Sequence, residues 1–439
     1  MTELHAPKRL TADFAWILSG NLVYAACQWG ILVVLAKLGT PEQVGEYALG
    51  MAIAAPVMLF ANLQLRVLLA SDVTGRFALS RYLTFRLVSL AAALLVVIGI
   101  AVVSQPDWRL RGIVSLVGLS QAQEFVSDAY YGFMQRQERM DRISASLLLK
   151  GPLALAALSG AMYVSHSVEW AVTGLVLGRL AVFVLWESRL GFAGAWGREF
   201  RIAFPWESRE LLTLLRIALP LGVISMLVSL NSNIPRYFIE AYSGRTELGV
   251  FSAIASLLTG GNLVVAALGQ SMFLPVARAC ASRDRARYRG YALRAAALGG
   301  VLGGAAVLAS SLFGRDILAH LFRPEYGERA DILVRLMIAG TIAFVASGLG
   351  YVITAARSLL PQIPLLLTTA SASAAVSGWS IPKHGLSGAA NAALAAALLQ
   401  LVGTVVIFFR TDHQMQRSSA ISSGGLAVPE LQRVGAERT

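Results

Sequence analysis

Apolar residues along this chain do not alternate or recur on one helical face; they run in blocks of about 20, the length a helix needs to cross a bilayer. Twelve such blocks are predicted, over residues 14–37, 47–70, 84–104, 110–132, 144–165, 168–187, 216–240, 248–275, 291–313, 331–356, 359–381 and 384–409. The fourth is the least apolar, because Gln121, Gln123, Glu124, Ser127 and Asp128 make its second half polar. Pro56, Pro152, Pro220, Pro235 and Pro364 fall inside blocks and predict kinks or breaks, which membranes tolerate where neighbouring groups satisfy the freed backbone. Gly299, Gly300, Gly303 and Gly304 predict close helix contact. The first block is too long for the core of a cleavable signal and no small-residue cleavage site follows it.

Composition agrees with the pattern. Of 439 residues, 56% are hydrophobic and 14% charged, against about 25% charged in soluble domains. Soluble cores stop growing beyond about 300 residues, so this much apolar sequence defines an all-α polytopic membrane protein. The net charge of +12 would suggest nucleic acid in a soluble chain. Here its distribution sets orientation instead. With the N-terminus cytoplasmic, 24 of the 37 Lys and Arg and 13 of the 25 acids fall on the cytoplasmic side, against 10 and 10 on the other. The positive-inside rule then predicts both termini cytoplasmic and an even number of spans, and leaves no nucleic-acid partner to expect.

The segments between spans are short. The longest, 188–215, carries Trp196, Phe200, Phe204 and Trp206 among Arg and Glu, and reads equally as an amphipathic elbow on the membrane surface or a loose linker. The connection over 314–330 is too short for a catalytic domain, and the polar tail after Phe409 is expected to be disordered. No phosphate-binding GxxxxGK[ST] loop, HExxH, Cys/His cluster or GxSxG elbow occurs. No enzyme activity, metal site or cofactor is therefore expected. Cys27 and Cys280 lie in or beside apolar segments and cannot form a disulfide framework.

An internal repeat divides the chain. Residues 35–53 read LAKLGTPEQVGEYALGMAI and residues 239–257 read IEAYSGRTELGVFSAIASL; sliding by 204 pairs Gly45 with Gly249, Tyr47 with Phe251 and Ala48 with Ser252. Twelve spans then form two six-helix lobes related by a parallel repeat, 1–187 and 216–410, joined by 188–215 and followed by a tail over 411–439. Transporters built of such repeats bind substrate between the halves near the midplane.

Ionisable residues within spans are candidates for function. Arg66 lies about 6 Å from the end of its span, within reach of the interface for a long side chain. Lys150 lies about 9 Å inside the fifth span. If the hairpin before it folds near residue 138, Lys150 faces the level between Glu124 and Asp128, one helical turn apart. One carboxylate would then pair with Lys150, and the other, beside a like charge, would suit reversible protonation. Arg179 sits about 12 Å from the nearer end of the sixth span, with no acid within two turns of its own helix. Arg236 follows Asn231, Ser232, Asn233 and Pro235, a Pro-interrupted polar stretch of the kind that forms binding segments. Gln28, Gln64 and Gln270 are weaker signals. Permanently charged guanidinium inside a membrane favours an anionic substrate and matches phosphate oxygens two at a time.

Taken together, several stretches resemble the bacterial polysaccharide (O-antigen-type) flippases of the multidrug/oligosaccharidyl-lipid/polysaccharide exporter superfamily. They are Gly20-Asn21 with Tyr24 and Gln28, LAKLG at 35–39 with GEYA at 45–48, LQLR at 63–66 with Asp72, DAYYG at 128–132 with Gln135, NSNIPRY at 231–237 and GLSGAA at 385–390. The resemblance spans about residues 14–409. It implies a cationic central cavity and movement of undecaprenyl-diphosphate-linked oligosaccharide repeat units across the inner membrane by alternating access. Proton or sodium coupling and contact with membrane lipids and polysaccharide assembly proteins are implied with it. Arg66, Lys150, Arg179 and Arg236, with Asn231 and Asn233, would hold the anionic substrate, and Glu124 and Asp128 would couple ions. The motif positions carry Arg66, Asp128 and Arg236; Lys150, Arg179 and Glu124 rest on depth alone. Two other readings stand: multidrug or cation efflux within the same superfamily, and a polytopic polysaccharide polymerase.

Overall fold

The computed structural model describes residues 6–71, 79–188, 208–356 and 360–424, and every regular element among them is helical. The order is α1 (Ala6–Leu38), α2 (Pro41–Asn62), α3 (Leu65–Ser71), α4 (Leu79–Ser104), α5 (Trp108–Arg136), α6 (Met140–Ser165) and α7 (Val168–Val182), which runs into a π-helical turn, Phe183–Glu187. After these come α8 (Ser208–Ala281), α9 (Arg285–Leu321), the single turn α10 (Pro324–Gly327), α11 (Ala330–Ala355) and α12 (Gln362–Gly424). Among the described residues nine helical stretches are long and apolar enough to cross a membrane. Helix α5 is not one of them, for the polarity its sequence shows, yet it is an unbroken helix of 29 residues packed against α2, α4 and α7.

Two helices are far longer than one crossing requires: α8 has 74 residues and α12 has 63. Each is interrupted once, at Gly244 (φ 85°) and at Gly385 (φ 55°). Both values lie where a side chain is strained, which is why glycine holds these positions. The expected loops between the seventh and eighth and the eleventh and twelfth blocks are thus single-residue breaks. The expected proline breaks do not occur. Pro56, Pro152, Pro220 and Pro235 sit inside continuous helices, and Pro364 occupies the first turn of α12, where no N–H is missed. The second block breaks instead at Leu63 and Gln64 (φ 50° and 51°), two consecutive left-handed residues that separate α2 from α3. The connection predicted over 314–330 is largely helix, since α9 runs to Leu321 and α10 fills the turn. The tail predicted to be disordered is helical through Gly424. The aromatic residues of the 188–215 connection and Asp72 lie outside the described residues.

Turns gather at one end of the bundle. Thr40 caps α2 in a reciprocal box with Gln43, whose side chain also donates to the carbonyl of His166 at 2.7 Å. Arg323 donates to the carbonyl of Lys37, and Arg329 pairs with Glu247 at 2.9 Å. At the same end α2 crosses α8 with backbones touching. A methyl added to Gly45 would overlap the carbonyl of Arg245, and one added to Gly249 would overlap the carbonyl of Pro41. These are corresponding positions of the 204-residue repeat, so the crossing has a two-fold pattern of contacts. Around it Leu35, Val44 and Leu49 form one buried cluster with Ile239, Leu248 and Ile254. Lipid tails are as apolar as leucine, so close backbone approach and side-chain packing, not exclusion of water, must hold helices together here. Leu95, Val103, Trp170, Val301 and Leu312 remain exposed on the outside of the bundle, as a lipid-facing surface requires.

Candidate functional site

The polar side chains of the first half converge between α1, α3, α4, α5, α6 and α7. Helix α5 supplies Ser120, Glu124, Asp128, Tyr131 and Gln135, spaced by three or four residues and so on one side of the helix, with Ser127 next to Asp128. Three cation–carboxylate groups lie along it.

Nearest the start of α5, Arg179 of α7 is buried. Its Nη1 donates to the carbonyl (2.8 Å) and hydroxyl (2.7 Å) of Ser120, its Nη2 donates to Gln28 of α1 (3.1 Å), and its Nε lies 3.8 Å from Glu124. The acid missing from its own helix is supplied by α5. With Gln28, Tyr47, Met51, Ser120 and Gln121, Arg179 lines a small cavity. In the middle, Lys150 is 1% exposed and Glu187 fully buried, 2.9 Å apart. Glu187 also accepts from Ser127 (2.5 Å), Ser146 (2.6 Å) and Tyr131 (2.8 Å), and the Lys150 ammonium lies 5.0 Å above the Tyr131 ring. Towards the end of α5, Asp128 meets Arg66 of α3 at 3.0 Å and Arg86 of α4 at 3.8 Å. Arg66 Nε also donates to Gln135 at 3.3 Å. Arg86 is fully buried and donates to the backbone carbonyl of Asn62 at 2.8 Å and to its side-chain oxygen.

This arrangement corrects the sequence reading at one pairing. Lys150 was expected opposite Glu124 and Asp128; those carboxylates belong to Arg179 and to Arg66 with Arg86, and the partner of Lys150 is Glu187. Two members were missed. Glu187 ends its apolar block and reads as an interfacial acid, but the π turn carries it inward. Arg86 stands two residues inside the start of the block over 84–104 and reads there as one of the cytoplasmic charges; the helix extends back to Leu79, which places Arg86 two turns inside. The apolar neighbours Phe85, Leu87 and Val88 were the available signal.

The second half presents one cation differently. Arg236 lies within the continuous part of α8, its Nη1 donating to Asn233 at 2.6 Å and its buried Nε without a partner. Among the described residues it makes no ion pair. Asn233 also donates to the Ser229 carbonyl (2.8 Å), and Asn231 donates to the carbonyls of Leu227 (2.9 Å) and Leu366 (3.1 Å), tying α8 to α12. One residue on, the Tyr237 hydroxyl donates to the carbonyl of Ala52 on α2, beside the Arg179 cavity. Gln64 reaches Ser225 of α8 at 3.1 Å; Gln270 is exposed. Among the described residues no group of three or more His, Cys, Asp or Glu gathers as a metal site would, and both cysteines are free.

The fold of this multi-pass helical bundle is one that solved membrane transporters share. An inward-facing multidrug resistance MATE family transporter of the MOP superfamily superposes with a TM-score of 0.71 at 14% identity, over 91% of this chain and 96% of that one. The lipid II flippase MurJ, in an inward closed conformation, superposes with a TM-score of 0.67 at 9% identity, over 94% and 93%. Residues 10–278 match the family described as polysaccharide biosynthesis protein, and the chain belongs to that family. The capsular polysaccharide biosynthesis protein CapF of Staphylococcus aureus is 27% identical over 408 residues, 91% of this chain and 98% of CapF.

Proposed function

We propose that the protein is a flippase that moves undecaprenyl-diphosphate-linked oligosaccharide repeat units across the bacterial inner membrane by alternating access, for surface polysaccharide synthesis. The topology belonging to this reading is twelve crossings in two six-helix lobes. The nine apolar stretches, the polar α5 and the second arms of the two broken helices make up that number, and the two-fold contacts of the Gly45–Gly249 crossing support a parallel repeat.

The observation that carries the substrate class is the excess of cation in the interior. Among the described residues Arg66, Arg86, Lys150, Arg179 and Arg236 pair with Glu124, Asp128 and Glu187 alone, two positive charges more than these carboxylates neutralise. A diphosphate makes up that difference; a cationic drug would add to it. Arg236, with no carboxylate of its own, is the primary contact for the anion, and Arg179 beside its cavity is the second. Asn231 and Asn233 orient this segment. Arg66 completes the substrate contacts, and Lys150 acts from behind them, fixed by Glu187. Glu124 and Asp128, each held against a guanidinium, are the carboxylates for proton or sodium coupling, since protonating either frees its arginine.

Arg179→Gln with Arg236→Gln is expected to abolish surface polysaccharide while the protein still reaches the membrane, as read by immunoblot and by polymer staining. Wild-type polymer from the double variant would rule out the cationic cavity. Transport of cationic dyes unaffected by both changes would favour the efflux reading.

A further inference from the structure

Arg66, Arg86 and Asp128 form an unequal triad. Among the described residues the two guanidiniums share one carboxylate within ion-pair distance, one positive charge more than Asp128 neutralises. The two arginines are held differently. Arg86 is fully buried and bonded to Asn62 through both its backbone and side-chain oxygens. Arg66 is 30% exposed and sits just after the left-handed break at Leu63 and Gln64. Its other direct contacts among the described residues are neutral: the Gln135 amide and the face of Tyr131, 5.6 Å from the guanidinium. Those contacts hold the side chain in place without satisfying its charge. Gln64, two residues earlier, bonds Ser225 of α8, so this end of the site borders the second half of the molecule.

We infer that the Arg66 guanidinium is a separate phosphate-binding station and that Asp128 is its built-in counter-anion, replaced there by a phosphate of the substrate while Arg86 retains Asp128. The inference rests on the flippase reading above and assigns a further step to it. A bare guanidinium in a membrane interior is costly, so an empty carrier returning without substrate needs an anion of its own. Asp128 supplies one. Exchange of a carboxylate for a phosphate swaps one charge-assisted contact for another, so the station binds without holding its ligand too tightly for release. Removing the internal competitor must then strengthen phosphate binding, the reverse of what loss of a direct ligand does.

The test is binding of pyrophosphate and of a polyprenyl diphosphate to the purified full-length protein in detergent, by calorimetry at fixed pH and salt. Asp128→Asn is expected to bind both about tenfold more tightly, which corresponds to about 1.4 kcal/mol. Adding Arg66→Gln should cancel the gain, and adding Arg236→Gln should weaken binding while preserving the ratio between Asp and Asn at 128. If Asp128→Asn does not fold, Gln135→Glu places a second carboxylate against Arg66 and should weaken binding about tenfold. Equal or weaker binding by Asp128→Asn, a gain that survives Arg66→Gln, or no effect of Gln135→Glu overturns the assignment. Failure of the folded wild type and Asp128→Asn to bind either probe would instead overturn the flippase reading on which it rests. A gain for pyrophosphate without one for the lipid probe would limit the station to free phosphate and overturn its place in the transport step.

Discussion

Lys150 and Glu187 are each among the most expensive side chains to bury alone, and together they are affordable only because three hydroxyls complete the carboxylate's shell. Glu187→Gln removes the charge that compensates Lys150 and is expected to cost about 3–5 kcal/mol, seen as a lower Tm for the protein in detergent. Glu187→Gln with Lys150→Met should recover most of that loss, since no uncompensated charge remains. A single variant as stable as the wild type would show that the pair does not hold the fold. At this scale the sequence exposed which residues carry charge in apolar surroundings, and Arg66, Lys150, Arg179, Glu124 and Asp128 all lie in the interior cluster. Pairing was not legible, because each cation found its carboxylate on another helix. Arg179 and Glu124 are 55 positions apart in the chain, and Lys150 and Glu187 are 37 apart.

Between elements, contact distance in a membrane is set by side-chain size, so the glycines at the α2–α8 crossing are fitted while others are not. Gly249→Ala places a methyl on the carbonyl of Pro41 and is expected to destabilise by about 1–3 kcal/mol. Gly304→Ala meets nothing within 4 Å and should leave stability unchanged or slightly raised. Thermal melts of the two variants side by side check this; an equal effect would mean that the crossing can open to admit the methyl. The same comparison shows what block lengths and prolines convey. Apolar blocks located helix interiors well, but prolines proved poor markers of breaks. A proline costs one hydrogen bond and can be absorbed by a small bend, whereas the left-handed residues Leu63, Gln64, Gly244 and Gly385 redirect the chain.

For the whole molecule, the distribution of Lys and Arg predicts an orientation with both termini cytoplasmic, and this can be checked without knowing the substrate. In a background with Cys27 and Cys280 replaced by alanine, His166→Cys, in the turn beside Gln43, is expected to react with an impermeant thiol reagent from outside intact cells. Gln137→Cys, at the opposite end of α5 and α6, should react only after permeabilisation. The reverse pattern would invert the topology and with it the direction of any coupled ion. The repeat belongs to this scale too: its signature was a short run of matched residues, and in the folded chain two of them, Gly45 and Gly249, meet at the crossing.

The sequence by itself determined that this is a helical membrane protein, where the apolar parts of its helices run and most, though not all, of the charges that lie inside, because the cost of placing polar groups in hydrocarbon is local and can be read block by block. The tertiary structure alone decided how those charges are compensated. Ion pairing depends on distances of a few ångströms between helices far apart in the chain, and on turns such as Phe183–Glu187 that rotate an apparent surface acid into the interior. That pairing moves Lys150 from the expected carboxylates of α5 to Glu187 and leaves Arg236, among the interior cations described, without a carboxylate of its own.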